Sequence, residues 1–336
     1  MSHTPRSQGQ ARHRDHQIYY KEVVCGVQER GLFGGRPAKV RYPEARWREN
    51  FLSDYVDAID QHLTELGIRR HDLHSTMSSQ AFGLQLVAPF LKDPSSMVPI
   101  LQTVLGTERG DTVARVRKVE VEYDADNRYL GERKDARRGE KRTNSDLAIW
   151  WTTRAGQERL LLIEVKYMED SFGQCGTGRR RGGACDSDGA SLARDWWSTC
   201  PLTASGRRYF DLAQSLDVIK TAESADSLAC AFRFGLYQLV RNQIQAAAIE
   251  ADPDSGIDRC DFAVLLHPDN DVVGHLERPV AGHDDALSAF RGLLVHPDRF
   301  LELDARAWLD AGAPNQALSA WSEALLMRYF PGEHTE

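Results

Sequence analysis

Two apolar segments that flank a short turn carry charges where a buried strand should have none. The stretch N-S-D-L-A-I-W-W-T-T-R-A-G-Q-E-R-L-L-L-I-E-V-K-Y runs from residue 144 to residue 167. Side chains alternate along a strand, so Glu164 and Lys166 share one face, opposite three aliphatic side chains. The segment therefore predicts a β-hairpin whose second strand carries a carboxylate and an ammonium side by side.

The predicted turn brings a second carboxylate opposite the first. Asp146 and Glu164 are equally distant in sequence from Ala155, the centre of the turn. In that register their Cβ atoms lie roughly 4.5–5.5 Å apart. Two adjacent carboxylates repel each other and a lysine compensates only in part, so the pair favours a divalent cation between them. The sequence predicts a metal site at Asp146 and Glu164, with Lys166 beside it.

This combination of residue types suits phosphodiester hydrolysis. Mg²⁺ or Mn²⁺ binds a few oxygens and keeps most of its waters, so Asp146, Glu164 and the backbone carbonyl of Val165 form a sufficient ligand set. The metal polarises a phosphate and lowers the pKa of a bound water. We expect Lys166 to orient or deprotonate the attacking water, or to stabilise the transition state. An exposed hairpin with ordinary surface charge is the alternative, but it does not explain why Glu-x-Lys ends an apolar run.

The pattern Asp-x17-Glu-x-Lys across a hairpin resembles the core of the PD-(D/E)xK nuclease superfamily, which includes many restriction enzymes and RecB-type nucleases. Ser145 stands where the proline of that name would precede the aspartate. Other segments are similar to the ordered motifs of a bacterial branch of these nucleases: S-S-Q-A-F-G-L-Q-L-V-A-P-F-L (78–91), V-E-Y (121–123), T-N-S-D (143–146), E-V-K-Y (164–167) and Y-Q-L-V-R-N-Q (237–243).

The resemblance implies an α/β fold with a restriction-endonuclease-like αβββαβ core, in which helices flank a mixed central sheet, plus helical decorations. It also implies a Mg²⁺-dependent deoxyribonuclease that acts in bacterial defence or repair. The alternative is a catalytically silent nucleic-acid-binding or assembly module that keeps the nuclease fold. Because Asp146, Glu164 and Lys166 are all present, the sequence favours the enzyme.

Hydrophobic periodicity predicts the same order of elements. Helices are expected over 45–66, 77–92 and 227–249, and strands over 113–123, 146–153, 159–167 and 262–267. The polar N-terminus lacks an apolar segment, so residues 1–40 are predicted to be disordered or loosely structured. Residues 41–310 are assigned to the nuclease domain, and 311–336 to a C-terminal helical extension.

Two basic clusters predict where nucleic acid binds, although the formal net charge of the chain is −7. Residues 128–142 contain seven Lys/Arg and three Asp/Glu just before Asp146, and a second cluster lies in a glycine-rich loop. Each cluster alone is typical of a solvated loop. On both sides of a nuclease-like centre, they favour phosphate contacts. The predicted contact residues are Arg137, Arg138, Lys141, Arg142, Arg179, Arg180 and Arg181.

Helix-borne polar residues extend the candidate site. Gln238 and Arg241 lie one turn apart on a predicted helix and are expected to reach a phosphate, with a solvated helix face as the alternative. Gln80 and Gln85, on an earlier predicted helix, are candidates to line the cleft. Ordinary helix-surface glutamines are the favoured alternative for those two residues.

The first strand of the predicted sheet offers one more carboxylate. Alternation puts Glu122 on the face opposite Val121 and Tyr123. Glu122 then either adds a ligand to the metal site or belongs to a solvent-facing polar side, and the second interpretation is favoured.

The cysteines and the apolar runs limit the other cofactors and partners. No C-x2-C pair occurs, and gaps of 9 and 14 residues separate Cys175, Cys185 and Cys200. Such gaps are unusual for zinc or an iron–sulfur cluster, so free thiols are predicted. No apolar run approaches the roughly 18 residues of a membrane span, which predicts a cytoplasmic protein without a membrane partner. DNA is the expected partner; RNA, a homodimer and an operon-encoded partner protein stay open.

Overall fold

A computed structural model describes residues 8–68, 73–110, 112–125, 129–132, 144–169, 171–173, 175, 200–220, 230, 232, 235–270, 283 and 285–332. The strands are β1 (Gly31–Phe33), β2 (Arg36–Ala38), β3 (Val113–Asp124), β4 (Asn144–Thr153), β5 (Glu158–Lys166), β6 (Arg259–Leu266) and β7 (Phe300–Asp304). The helices are α1 (Gln8–Tyr19), α2 (Ser53–Glu65), α3 (Ser79–Val87), α4 (Val98–Val104), α5 (Gly106–Gly110), α6 (Pro201–Ala204), α7 (Tyr209–Ser215), α8 (Tyr237–Glu250), α9 (Ala286–Leu293), α10 (Ala305–Gly312) and α11 (Ser319–Tyr329).

A five-stranded mixed sheet forms the centre of the molecule, in the order β3-β4-β5-β6-β7. The first three strands form an antiparallel meander, and β6 and β7 run parallel to β5. Helix α8 makes the crossover from β5 to the parallel strand β6, as parallel pairing requires. The predicted α/β fold with an αβββαβ core is therefore confirmed, in the order α3, β3, β4, β5, α8, β6. The short strand β7, which periodicity missed, extends the sheet.

Two apolar layers cover the two faces of the sheet. Ile163 and Val165 of β5 pack in one layer with residues of α3, α4, α10 and α11. Leu160 and Leu162 pack in the other layer with residues of α7, α8 and α9. Alternation along β5 explains this division, because successive side chains point to opposite faces. The next two positions on the α8 face are Glu164 and Lys166, which are buried although both are ionisable.

The three predicted helices differ in their bounds from the observed ones. The helix expected over 45–66 is divided into a 3-10 helix, Glu44–Asn50, and α2, because Phe51 adopts extended backbone with ψ 157°. The helix expected over 227–249 begins at Tyr237. The helix expected over 77–92 begins at Ser79, after the Ser78 hydroxyl accepts a hydrogen bond from the backbone N–H of Ala81. Its α-helical part ends at Val87, and a 3-10 helix follows over Ala88–Phe90.

The N-terminal segment is ordered from Gln8 onward, so the prediction of disorder is wrong for the described part of residues 1–40. Helix α1 continues as a π-helix over Tyr20–Val24. Buried Gln17 donates to the carbonyl of Arg328 at 2.7 Å and to the Tyr167 hydroxyl at 3.2 Å. Buried Lys21 donates to the carbonyl of Val27 at 2.7 Å. The polar composition of this segment indicated disorder. Composition does not show which polar groups are buried with hydrogen-bond partners, as Gln17 and Lys21 are.

The end of the chain also packs into the molecule. The proposed boundary at residue 311 falls inside α10, and Trp308 of α10 and Leu325 of α11 belong to the same apolar layer as α3. The division into domains stays a prediction. Among the described residues, no helix is both long and apolar enough to cross a membrane.

Candidate active site

The β4–β5 hairpin has the register that the spacing about Ala155 predicted. Leu147 pairs with Ile163, and the ladder continues in step to Thr152 and Glu158. One position beyond the first pair, the Asp146 carboxylate accepts a hydrogen bond from the backbone N–H of Val165 at 2.7 Å. Asp146 therefore lies across the end of β5, next to Glu164 and Lys166.

Hydrogen bonds from α8 hold Glu164 and Lys166 in a fixed arrangement. The Lys166 ammonium donates to Glu164 Oε1 at 2.9 Å and to Gln238 Oε1 at 3.1 Å. Gln238 Nε2 donates to Glu164 Oε1 at 2.7 Å, and Asn242 Nδ2 donates to Glu164 Oε2 at 2.9 Å. Both carboxylate oxygens are thus oriented by protein donors, as in a preorganised site.

Helix α8 presents Gln238 and Asn242 to this site because residues four apart share a helix face. Asn242 was not predicted from the sequence, and Gln238 was paired with Arg241 instead. The i, i+4 spacing of Gln238 and Asn242 could have shown that their side-chain amides share a helix face. The Gln238 amide is engaged by Lys166 and Glu164 at both ends, which favours an orienting role over the predicted phosphate contact. The Arg241 guanidinium stacks 5.2 Å from the ring centroid of Tyr237.

Glu122 lies beside Asp146 on the adjacent strand β3. Val121 pairs with Leu147 and Tyr123 with Ser145, which puts Glu122 in line with Asp146. Glu122 has φ 50°, a left-handed conformation that costs roughly 1–2 kcal/mol for a residue with a Cβ. Such strain persists where the surroundings enforce it, and it clusters at functional sites. This outlier favours the metal-site interpretation of Glu122 over a plain polar face.

The left-handed residue also corrects the predicted face alternation of β3. Val119 and Val121 pack in the layer of α3, but Tyr123 packs against the opposite layer, where its ring contacts Trp150 edge-on. Regular alternation put Tyr123 on the same face as Val121 and was wrong here. The reversal follows from the change of backbone hand at Glu122.

The two glutamines of α3 have different surroundings. Gln80 Nε2 donates to Glu122 Oε1 at 2.8 Å, so Gln80 lies at the site. Gln85 is buried in the core, where its side-chain amide donates to the Tyr329 hydroxyl and its backbone carbonyl accepts from Trp321 Nε1. The prediction that Gln85 lines the cleft is therefore wrong. Five residues span about 1.4 turns of helix, so the two side chains point in different directions.

The carboxylates at the site repel one another strongly. Burial raises the pKa of Asp146 well above its usual value, and the charges of Glu164 and Glu122 raise it further. Burial by itself lowers the pKa of Lys166, but attraction to Glu164, Glu169 and Asp146 outweighs it and raises the pKa above its usual value. Lys166 is thus held as an ammonium, which favours orienting or charge-stabilising roles over proton abstraction.

The donor set fits a hard divalent cation. In a strand, the N–H and C=O of one residue point to the same edge. The Val165 N–H points to Asp146, whereas the Lys166 carbonyl accepts from the backbone N–H of His267 on the other edge. The Val165 carbonyl therefore faces the Asp146 side. With Asp146, Glu164 and Glu122 it supplies only oxygens, the ligands that Mg²⁺ and Mn²⁺ prefer.

Another cluster, formed by His13, His267 and Asp269, is better explained as a hydrogen-bond network. It is the only group of three His, Cys, Asp or Glu in the described chain whose ligand atoms all lie within 4.8 Å of one another. His13 contacts Asp269 at 2.7 Å and the Tyr167 hydroxyl at 3.2 Å, and His267 Nε2 contacts the carbonyl of Tyr329 at 2.9 Å. These nitrogens are occupied. The carboxylates at Asp146 are spread more widely, which suits an ion that keeps several waters.

Several predicted residues lie outside the described part of the chain. They are Arg137, Arg138, Lys141, Arg142, Arg179, Arg180, Arg181 and Cys185. Their phosphate contacts stay predictions. Cys175, Cys200 and Cys230 are buried in the apolar layer of α8. The described cysteines form no group of three metal-ligand atoms.

Comparison with known proteins identifies the family. A family model described as "Restriction Endonuclease associating with ARP" matches residues 6–330. No curated protein and no solved structure matches the chain. The matched range covers nearly the whole sequence and includes every element of the central sheet. The chain therefore belongs to this restriction-endonuclease-like family, in agreement with the resemblance of its motifs.

Proposed function

We propose that this protein is a Mg²⁺-dependent deoxyribonuclease with Asp146, Glu164 and Lys166 as its catalytic residues. The observation that carries the proposal is the hydrogen-bonded group at the end of β5. There the Asp146 carboxylate meets the Val165 N–H, and Lys166 is bonded to Glu164. Membership of a restriction-endonuclease-like family supports nuclease activity independently.

Asp146, Glu164 and the Val165 carbonyl would hold the ion, with Glu122 as a further carboxylate oriented by Gln80. When bound, the ion supplies Lewis-acid chemistry: it polarises the scissile phosphate and neutralises developing negative charge. Glu164 keeps its orientation through Gln238 and Asn242, so its oxygens need little rearrangement. Each of these contacts fixes a side chain before substrate binds.

Lys166 acts on the phosphate or on the attacking water. Its ammonium has no lone pair and cannot be a metal ligand. Attraction to the neighbouring carboxylates keeps it protonated, with its pKa raised. It therefore orients the water, or stabilises the charge that builds on the phosphate, by donating hydrogen bonds. Gln238 Oε1 holds the ammonium from the α8 side at 3.1 Å.

The alternative of a catalytically silent module explains the site poorly. Buried like charges destabilise a fold unless a counter-ion compensates them. A binding module gains nothing from Glu122, Asp146 and Glu164 in line across three strands. A cation-dependent enzyme does gain from this arrangement, because the repulsion creates affinity for the ion.

The family description adds a partner to the proposal. It describes restriction endonucleases that associate with ARP. We propose that this chain also works with such a partner, on DNA, in bacterial defence or repair. A homodimer is an alternative assembly, and the cytoplasm is the proposed location.

A substrate panel tests the proposed function. Purified protein is incubated with supercoiled plasmid, linear duplex, single-stranded DNA and RNA, each with Mg²⁺, Mn²⁺ or EDTA. We expect cleavage of at least one DNA substrate with Mg²⁺ or Mn²⁺ and none with EDTA. Equal cleavage in EDTA contradicts the metal requirement, and cleavage of RNA alone contradicts the choice of DNA. Addition of the partner protein tests whether association is needed for activity.

A further inference from the structure

The small β1–β2 hairpin has a charge balance opposite to that of the whole chain. Residues 30–41 read R-G-L-F-G-G-R-P-A-K-V-R, with four Lys/Arg and no Asp/Glu, in a chain of formal net charge −7. Arg30, Arg36 and Lys39 are exposed. The preceding acid, Glu29, is paired with Arg46 at 2.6 Å, so it does not cancel the charge of the hairpin. The hairpin is therefore a local source of positive potential.

Two large apolar side chains project from the same hairpin. Phe33 is 66% exposed and Leu32 is 59% exposed, among the most exposed large hydrophobic residues described in this protein. The Arg41 guanidinium lies 4.8 Å from the Phe33 ring centroid. An exposed aromatic ring between basic residues is the arrangement with which proteins stack on bases while holding the phosphate backbone.

The hairpin is built to hold its tip in place. Gly34 and Gly35 have φ 56° and 79°, as a tight two-residue turn of primed type requires. At the other end, a Cβ on Gly31 would lie 2.0 Å from the Tyr42 carbonyl oxygen, so only glycine permits this close approach. The Gly31 N–H also donates to the Arg41 carbonyl at 2.8 Å. The exposed side chains thus sit on a short anchored ribbon.

The base of the hairpin is connected to the candidate active site. The Thr76 N–H donates to the Val40 carbonyl at 2.9 Å. Four residues later Gln80 donates to Glu122 of the site, and four residues of chain span at most about 14 Å. The base of the hairpin therefore lies close enough to the carboxylates for one bound nucleic acid to reach both.

We infer that the β1–β2 hairpin binds the nucleic-acid substrate at an unpaired base, with Phe33 stacked on that base and Arg30, Arg36 and Lys39 on the flanking phosphates. This inference rests on the proposed function and narrows its substrate class to DNA with a single-stranded segment next to a duplex. Unstacking a paired step costs free energy, so an already unpaired base is favoured. Continuous duplex should bind more weakly than duplex with an overhang, gap or bubble.

Binding experiments in EDTA test the inference without cleavage. Fluorescence anisotropy gives the Kd of the full chain for continuous duplex and for the same duplex with a central gap. The variants are Phe33→Ala, Phe33→Trp and the pair Arg36→Ala/Lys39→Ala. Matched controls are Leu66→Ala, another exposed apolar residue, and Arg154→Ala, an exposed cation at the far turn between β4 and β5. All variants change exposed side chains, and thermal unfolding verifies that each one folds.

We expect wild-type protein to prefer the gapped duplex. Phe33→Ala should weaken binding to it by about 5- to 150-fold, the usual range for one lost base–aromatic stack, and should remove the preference. Phe33→Trp should keep the preference. The Arg36→Ala/Lys39→Ala pair should weaken binding to both DNAs and flatten the salt dependence.

Three results overturn the inference, and they differ in whether the proposed nuclease function also fails. If wild-type protein binds nucleic acid but the hairpin variants behave as the controls do, the hairpin has no such role and the proposed nuclease function stands. If wild-type protein binds neither DNA, the inference fails together with the DNA part of the proposed function. A Phe33→Ala variant that loses only self-association, measured by sedimentation, identifies a protein interface and also contradicts the inference.

Discussion

At the scale of single residues, the proposed cleavage reaction depends on Asp146, Glu164 and Lys166. The ammonium of Lys166 is buried against Glu164 and Gln238, and the carboxylate of Asp146 is held by the Val165 N–H. These contacts give each side chain a separate task. Asp146 and Glu164 supply oxygens to a cation, and Lys166 acts on the water or the phosphate.

Replacing Lys166 with alanine should abolish turnover but leave the binding of metal and DNA largely intact. The ammonium is not a metal ligand, and Gln238 and Asn242 still orient Glu164 in its absence, so the main loss is an interaction with the reacting groups. The loss of one such charged donor predicts a fall in kcat of at least about 10²-fold. Plasmid nicking gives the rate, and calorimetry gives the metal affinity. Lys118→Ala, an exposed lysine on β3, is the control; normal cleavage by Lys166→Ala would refute this role.

Replacing Asp146 with asparagine should stabilise the metal-free protein. Burial and the neighbouring carboxylates raise the Asp146 pKa in the folded protein, so the fold loses stability as the pH rises above the usual value of 3.8. The side-chain oxygen of asparagine can still accept a hydrogen bond from the Val165 N–H, and asparagine carries no charge. The free energy of unfolding of the metal-free protein near neutral pH should therefore be higher for Asp146→Asn than for wild type.

Thermal unfolding with and without Mg²⁺ measures both parts of this prediction. Wild-type protein should gain stability from Mg²⁺ because only the folded site binds it, whereas Asp146→Asn should gain little. An Asp146→Asn protein that is less stable without metal and still responds to Mg²⁺ would be inconsistent with a carboxylate site here.

At the scale of elements, the sequence predicted the features that depend on neighbouring residues, namely the strands and the register of the hairpin. The spacing about Ala155 predicted the β4–β5 register, and apolar alternation predicted β3 to β6. The N-terminal helix α1 could not be found in this way, because Gln17 is buried through hydrogen bonds to residues more than a hundred positions away. The reversal of face at Glu122 was equally hidden, since it depends on one left-handed residue.

His267, in the loop after β6, should make the stability of the protein depend on pH, because it is buried in a setting that requires a neutral ring. Its Nδ1 accepts from the Asp269 N–H at 3.2 Å, and its Nε2 contacts the carbonyl of Tyr329. Burial lowers the pKa of His267 from 6.5 to about 3. Between these values the unfolded chain binds more protons than the folded one, so stability is lost as the pH falls below 6.5. This loss approaches about 1.4 kcal/mol per pH unit for His267 alone.

Urea unfolding between about pH 7 and about pH 4.5 checks this dependence. His267→Gln keeps one donor and one acceptor, so it should flatten the slope although it lowers stability near neutral pH. His296→Gln, at an exposed histidine, should leave the slope unchanged. Burial also lowers the pKa of His13, which leaves a residual slope in the variant. An identical slope in His267→Gln and wild-type protein would count against a neutral buried ring.

At the scale of the whole molecule, the sheet brings together groups that are far apart in sequence. Gln80 of α3 and Gln238 of α8 approach the end of the β3–β4–β5 meander from the two apolar layers. The strands were predictable because their side chains alternate. The roles of Asn242 and Gln85 were not, because they depend on how each helix is rotated against the sheet.

Cleavage by matched glutamate variants of β5 is the most direct test of a metal-dependent active site at Glu164. Glu164 and Glu158 lie on the same face of this strand, about 20 Å apart at its two ends. Supercoiled plasmid is incubated with wild-type protein, Glu164→Gln and Glu158→Gln, in Mg²⁺ and in EDTA. Wild-type protein and Glu158→Gln should cleave the plasmid in Mg²⁺ only. Glu164→Gln should cleave it in neither condition. Undiminished cleavage by Glu164→Gln would contradict this prediction.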